Sequence, residues 1–162
     1  MAQFNRCSHR HHSMLRRLVM AGLLVLAVLA CGPAVATEPS AQERLAVGTW
    51  YGEYSAGAGQ PVQRFINTRH PDGTYVLVAR LYDKGKPTTE LRNKGLWGIS
   101  NGLYFTITTE VNGQRVDPAK ADVAQPYLVQ SLNSMSFEYA HVASGNRFRV
   151  TRVDPATARL PD

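Results

Sequence analysis

The stretch TYVLVARLYDKGKPTTELRNKGLWGISNGLYFTITTEVNG, residues 74–113, decides the fold. It holds three runs rich in Val, Ile, Thr, Tyr and Phe, at 74–82, 88–99 and 103–111. Asp83-Lys84-Gly85, Asn101-Gly102 and Asn112-Gly113 punctuate them. Alternation of period two is the signature of strands. The Gly-containing pairs allow the positive φ that tight hairpins need. In the first run Tyr75, Leu77, Ala79 and Leu81 share one face, opposite Thr74, Val76, Val78, Arg80 and Tyr82. In the third, Leu103, Phe105, Ile107 and Val111 share the more apolar face, opposite Tyr104, Thr106, Thr108 and Glu110. Between them, Gly95 and Gly98 flank Trp97 in a strand, which points to a bulge or a sharp bend with Trp97 in the core.

The same rhythm runs outward in both directions. Further strands are expected at 46–54, 62–69, 126–132, 135–142 and 147–153, with turns at Gly57–Pro61, Pro71-Asp72-Gly73, Asn133 and Ser144-Gly145-Asn146. Only the 112–125 connection is long. Successive short turns make chain neighbours antiparallel sheet neighbours. A meander with one apolar face covers that face, and removes its edges, by curling shut. The expectation is an all-β chain: a single eight-stranded antiparallel up-and-down barrel over 46–153, after a linker with a short helical turn at 37–45 and before a tail at 154–162. Ser40-Ala41-Gln42-Glu43 is a capping box for that turn. Asp117-Pro118 and Asp154-Pro155 each start a further short helix or turn.

Before the barrel, Arg16-Arg17 leads into 13 apolar residues, Leu18 to Ala30, and then Cys31-Gly32-Pro33-Ala34-Val35-Ala36. A positive start, an apolar run too short to span a bilayer and an A-x-A exit read as a signal peptide over 1–36, with 1–13 an over-called start in front of Met14. The exit has two readings. Ala34-Val35-Ala36 suits cleavage before Thr37 and a soluble product, the favoured reading. Val28-Leu29-Ala30-Cys31 resembles a bacterial lipobox, with cleavage before Cys31 and lipidation of that residue. Either way the protein is expected in the periplasm or cell envelope, and meets a membrane only through its signal or a lipid anchor.

Of the 18 Lys and Arg, four precede Thr37, so the remaining chain carries 14 basic against 12 acidic residues. So even a balance removes the case for a nucleic-acid partner, which needs a concentrated basic face. Both cysteines, Cys7 and Cys31, lie in the N-terminal segment, which excludes a disulfide framework or thiolate site in the barrel. The tract His9-Arg10-His11-His12 falls there too and reads as an accidental cluster.

Gly48-Thr49-Trp50-Tyr51, in the first strand after a short helical turn, resembles the G-x-W-Y opening of the lipocalin and lipocalin-like (calycin) barrels. The resemblance implies that Trp50 closes one end of the barrel and that an Arg of the last strand packs across it, either Arg149 or Arg152. The chain lacks the T-D-Y turn motif, the disulfides and the long terminal helix of typical lipocalins. It is more similar to the small lipocalin-like domains of bacterial envelope proteins.

No catalytic constellation, metal-ligand spacing or cofactor motif stands out, so no enzyme, metal or cofactor is expected. His70 precedes a turn and reads as exposed. His141 shares a face with Phe137 and Tyr139. Glu53, Glu90, Glu110 and Glu138 are the carboxylates from which an acid/base pair would have to come. Thirteen aromatic residues after position 36, seven of them Tyr, are more informative. Each buried hydroxyl needs a partner. A lumen lined by Arg64, Arg80, Tyr82, Tyr104, Tyr127, Tyr139 and His141 would hold a small amphipathic or lipidic ligand, with guanidinium groups on its head. Alternation alone leaves it open whether these residues face inward or cover the outer wall. The expected function is therefore a non-catalytic binding module. The alternative is a filled barrel, an inhibitor, immunity-type or assembly factor, that meets an envelope protein through loops Ser55–Pro61 and Asn112–Gln125.

Overall fold

A computed structural model of the protein describes residues 38–117, 119 and 122–162. The expected signal peptide, both cleavage sites, Cys31 and the histidine tract lie outside the described residues, as does Pro118 of the Asp117-Pro118 start.

The chain enters through one short helix, α1 (Ala41–Ala46), closed by the capping box read from its sequence. Glu43 N donates to Ser40 Oγ at 3.1 Å, and Ser40 N donates to the Glu43 carboxylate at 2.7 Å. Nine strands follow: β1 (Gly48–Ser55), β2 (Val62–Arg69), β3 (Thr74–Asp83), β4 (Lys86–Ser100), β5 (Leu103–Val111), β6 (Gln114–Arg115), β7 (Ala124–Leu132), β8 (Ser136–His141) and β9 (Arg147–Arg152). The two-residue β6 folds back on the end of β5. The eight long strands close into an antiparallel up-and-down barrel, β5 pairing with β7 and β9 returning to β1. Lys84-Gly85, Asn101-Gly102 and Asn112-Gly113 all have both residues at positive φ, from 49° to 83°. These turns match the right-handed twist of the flanking strands, and they set the registers that follow.

Register decides which face is the lumen. Trp50 stands opposite Asn67, Asn67 opposite Leu77 and Leu77 opposite Asn93, so these side chains share the inner face. The same count turns Tyr104, Thr106 and Thr108 inward on β5, level with Ile99, Trp97 and Gly95. The more apolar face of β5 is therefore the outer one, contrary to the reading from alternation. Outside, Leu103 pairs with Leu128, Phe105 with Pro126 and Ile107 with Leu96. Phe105 also lies over Gly98, where an added Cβ would be 2.6 Å from its ring. The apolar stripe belongs to the wall, and polar Thr residues are left for the lumen.

The expected irregularity at Trp97 is a register shift between Lys94 and Gly95 against β5. A Cβ on Gly95 would come within 2.0 Å of the Ile107 carbonyl, so only glycine lets the two strands approach here. Trp97 is buried in the core, its indole N–H donating to the His70 carbonyl at 3.1 Å.

The core fills one end of the barrel. Trp50, Phe137 and Val150 are fully buried there, each worth about 1.5–3 kcal/mol by burial alone. Helix α1 lies across that end: Trp50 Nε1 donates to the Ala46 carbonyl at 2.9 Å. The hairpin direction of the meander places the 55–62, 83–86, 112–123 and 141–147 connections at the opposite end. After β9, Asp154 caps a turn through its side chain, as read from Asp154-Pro155. The tail then runs up the outside to β3, where Tyr82 Oη donates to the Pro161 carbonyl at 2.6 Å.

Candidate functional site

Above the packed end lies a cavity of about 190 Å³ inside the barrel. Its wall combines Phe65, Leu77, Leu91 and Phe148 with the amides of Gln63, Asn67, Asn93 and Gln125 and with Thr106 and Thr108. Tyr75, Tyr104, Tyr127 and Tyr139 complete it. The rings form a continuous aromatic cluster: Tyr104 stacks on Tyr127 at 5.3 Å and Tyr139 on Phe148 at 5.4 Å, with edge contacts between the pairs.

The lumen is short of negative charge. Burial first, then the neighbouring Tyr104, pushes the Tyr127 phenol up to about 12. Burial raises Tyr139 further, and raises Tyr75 against the opposing hydrogen bond from its hydroxyl to Thr108 at 2.9 Å. These phenols are neutral at physiological pH and act as hydrogen-bond partners. Glu53, Glu90, Glu110 and Glu138 all point outward, each in an ion pair with its direct cross-strand partner, Arg64, Arg80, Lys94 and Arg149 respectively. Among the described residues, no group of three or more His, Cys, Asp or Glu lies close enough to hold a metal ion.

Arg69, the last residue of β2, is a charge buried in the packed end, beneath the cavity and not on its wall. It is 1 % exposed. Its guanidinium carbon lies 4.8 Å from the Tyr104 ring centre, 5.0 Å from Phe137 and 5.9 Å from Trp50. Nε donates to Tyr104 Oη at 3.2 Å, while among the described residues neither Nη has an acceptor. Aromatic faces offset part of the cost of burying a cation. In-plane N–H donors left without acceptors still cost about 1–3 kcal/mol each, more for a charged group. The Asn67 and Asn93 Oδ1 atoms, on the cavity wall, are likewise buried without a partner.

The residues singled out from the sequence divide between two places. Tyr104, Tyr127 and Tyr139 line the cavity. His141 follows Tyr139 on the inner face of β8, its ring 5.2 Å from that of Tyr127 and its Nδ1 held by Ser144 N at 3.2 Å and Ser144 Oγ at 2.8 Å. Arg64, Arg80 and Tyr82 stand on the outer wall instead, because the register that turns Phe65 and Ala79 inward turns them out. There Arg64 stacks on Tyr82 at 4.7 Å, and Arg80 donates to the Pro161 carbonyl at 3.0 Å. At the packed end Arg152 lies 4.3 Å over Trp50 and donates to the carbonyls of Val47 at 2.7 Å, Leu45 at 2.5 Å and Ser134 at 2.6 Å. Arg149 faces outward to Glu138 and takes no part in the closure. His70 is exposed in its turn.

Arg69, Asn67 and Asn93 were not among the residues expected at the site. Their signal was parity: Phe65, Asn67 and Arg69 alternate on one face of β2, but Ile66 on the other is just as apolar as Phe65. Neither a family model nor a curated protein sequence matches this chain.

Proposed function

We propose that this protein is a non-catalytic binding module that holds a small amphipathic ligand in the lumen of a lipocalin-like barrel, after export to the cell envelope. The observation that carries the reading is the cavity, on whose wall the buried amide oxygens of Asn67 and Asn93 lack partners. A barrel that served only as a scaffold gains by filling this space with aliphatic side chains. Unsatisfied buried donors and acceptors in a native protein ask for an occupant that satisfies them. Neutral phenols, amides and aromatic faces along one cavity wall suit a ligand with an apolar body and a polar head. Export rests on the N-terminal pattern of residues 1–36.

Native mass spectrometry of protein taken from its own cell envelope, without refolding, tests both parts. The denatured mass reads the processing: a start at Thr37 gives the soluble form, and a diacylglyceryl-modified Cys31 the anchored one. An unprocessed chain overturns the export reading. A discrete extra mass shed on activation supports the lumen ligand and gives its class. Bare protein at every charge state counts against it, and a second polypeptide in the peak favours recognition of an envelope protein through the loops.

A further inference from the structure

We infer that the lumen takes an uncharged ligand whose head carries paired N–H donors, as a primary carboxamide does, and that Asn67 and Asn93 receive them. The inference rests on the lumen-binding reading and narrows it. Two observations carry it: a pair of orphaned amides on the cavity wall, and the lack of any ionised side chain beside them.

The register sets the two amides level with each other. Asn67 on β2 and Asn93 on β4 both stand directly opposite Leu77 of β3, and all three line the cavity. Their Cα atoms are two strand spacings apart, about 10 Å. The inward curve of the wall brings the side chains closer than that, on either side of Leu77. Asn67 is only 3 % exposed, and neither Oδ1 has a donor among the described residues. Rotation about χ2 swings an amide oxygen at small cost, so each can turn to a guest. A primary amide offers two diverging N–H bonds from one nitrogen, and one such group between the side chains serves both oxygens. Its own carbonyl finds donors on the same wall, because the phenols of Tyr127 and Tyr139 keep their protons. Tyr75 and Thr108 take no part, since their hydroxyls are bonded to each other at 2.9 Å.

Charge is excluded in both senses. Among the described residues that line the cavity, none is Asp, Glu, Lys, Arg or His. An ion moved there loses its hydration with no counter-charge on the wall to replace it. The buried Arg69 counts against a cation, while its Nη donors are enclosed among the Trp50, Tyr104 and Phe137 rings and do not reach an anion in the cavity. Size sets the rest of the molecule. A dry cavity of about 150 Å³ takes one benzene ring. The 190 Å³ here accommodates one ring and a few further atoms, with the stacked pairs Tyr104–Tyr127 and Tyr139–Phe148 as faces for it.

The test uses the protein as its own cells process it and four probes of nearly one shape. Benzamide is uncharged with two N–H donors, acetophenone is uncharged with none, benzoate is the anion and benzamidinium the cation. Calorimetry gives the affinities. Proton–nitrogen magnetic resonance follows the side-chain amides of Asn67 and Asn93, identified by their loss in Asn67→Leu and Asn93→Leu. The expected result is that benzamide binds about tenfold or more tighter than each of the other three and shifts both amides. Either substitution then weakens benzamide about fivefold to tenfold and changes acetophenone less than twofold. Should Asn67→Leu fail to fold, Asn93→Leu and the wild-type ranking decide. Benzoate or benzamidinium binding as tightly as benzamide overturns the uncharged ligand. Acetophenone binding as tightly, or benzamide that leaves both amides unshifted, overturns the donor pair. Each of these outcomes leaves lumen binding standing. If none of the four binds at millimolar concentration, the amide site falls and the lumen reading falls with it.

Discussion

At the scale of single residues, the packed end turns on Arg152. Its guanidinium stacks on Trp50 and donates to the carbonyls of Leu45, Val47 and Ser134, tying the end of α1 to the β7–β8 turn. Arg152→Met keeps much of the side-chain volume and leaves those carbonyls to find water. We expect a loss of about 2–4 kcal/mol, read from urea unfolding. Lys84 offers the opposite case. It sits at φ 50°, where a longer side chain is strained and asparagine is favoured. Lys84→Asn should raise stability by up to about 1 kcal/mol in the same assay. Gly48-Thr49-Trp50-Tyr51 singled out Trp50, and Arg149 and Arg152 were both offered as its partner. Only register chooses Arg152, because Arg149 lies an odd number of residues away and so faces the other side.

At the scale of elements, β4 and β5 carry most of what could go wrong. Gly95→Ala forces a methyl group against the Ile107 backbone, and it should cost about 3 kcal/mol or more by backbone strain and overpacking. The outer stripe tolerates change. Leu128 is half exposed, so Leu128→Gln should move the unfolding midpoint by no more than about 0.5 kcal/mol in stability. Strand positions and tight turns were readable because turn chemistry and period-two alternation are local. Which face turned inward was not, because both faces of β2, β3 and β5 carry apolar residues. The four outward ion pairs belong to the same logic. Each joins direct cross-strand partners, and a slip of one residue in any of those pairings would bring charges into the lumen.

For the whole molecule, pH and the chain's end both bear on stability. An unfolded Tyr phenol ionises near pH 10, while burial raises those of Tyr127, to about 12, and Tyr139 in the folded barrel. The unfolded chain therefore loses these protons first as the pH rises. Stability from this source is constant below about pH 10 and falls above it, by up to about 1.4 kcal/mol per pH unit for each tyrosine. Denaturant titrations at pH 8, 10 and 11 check the onset, and a decline that starts at neutral pH would contradict it. The tail matters because it seals Tyr82 against the outer wall. Deleting Leu160 to Asp162 should cost about 1–2 kcal/mol and expose that ring to solvent, visible as a change in tyrosine absorbance. The tail's docking site was not legible in the sequence, since the contact joins residues some eighty positions apart and has no local pattern.

One closure of the barrel is shorter than the rest. β1 meets β9 only from Trp50 opposite Arg152 to Gly52 opposite Val150, whereas β1 meets β2 along its whole length. Beyond Gly52 the two strands diverge toward the loop end, and Tyr54 and Phe148 stand in the gap with their ring centres 5.2 Å apart. The wall is thus a ribbon fastened tightly at one end and held by a pair of rings at the other. Deuterium from the solvent should enter the backbone first along this seam. Where the barrel closes on itself, the ladder is thinnest and two side chains stand in for backbone bonds.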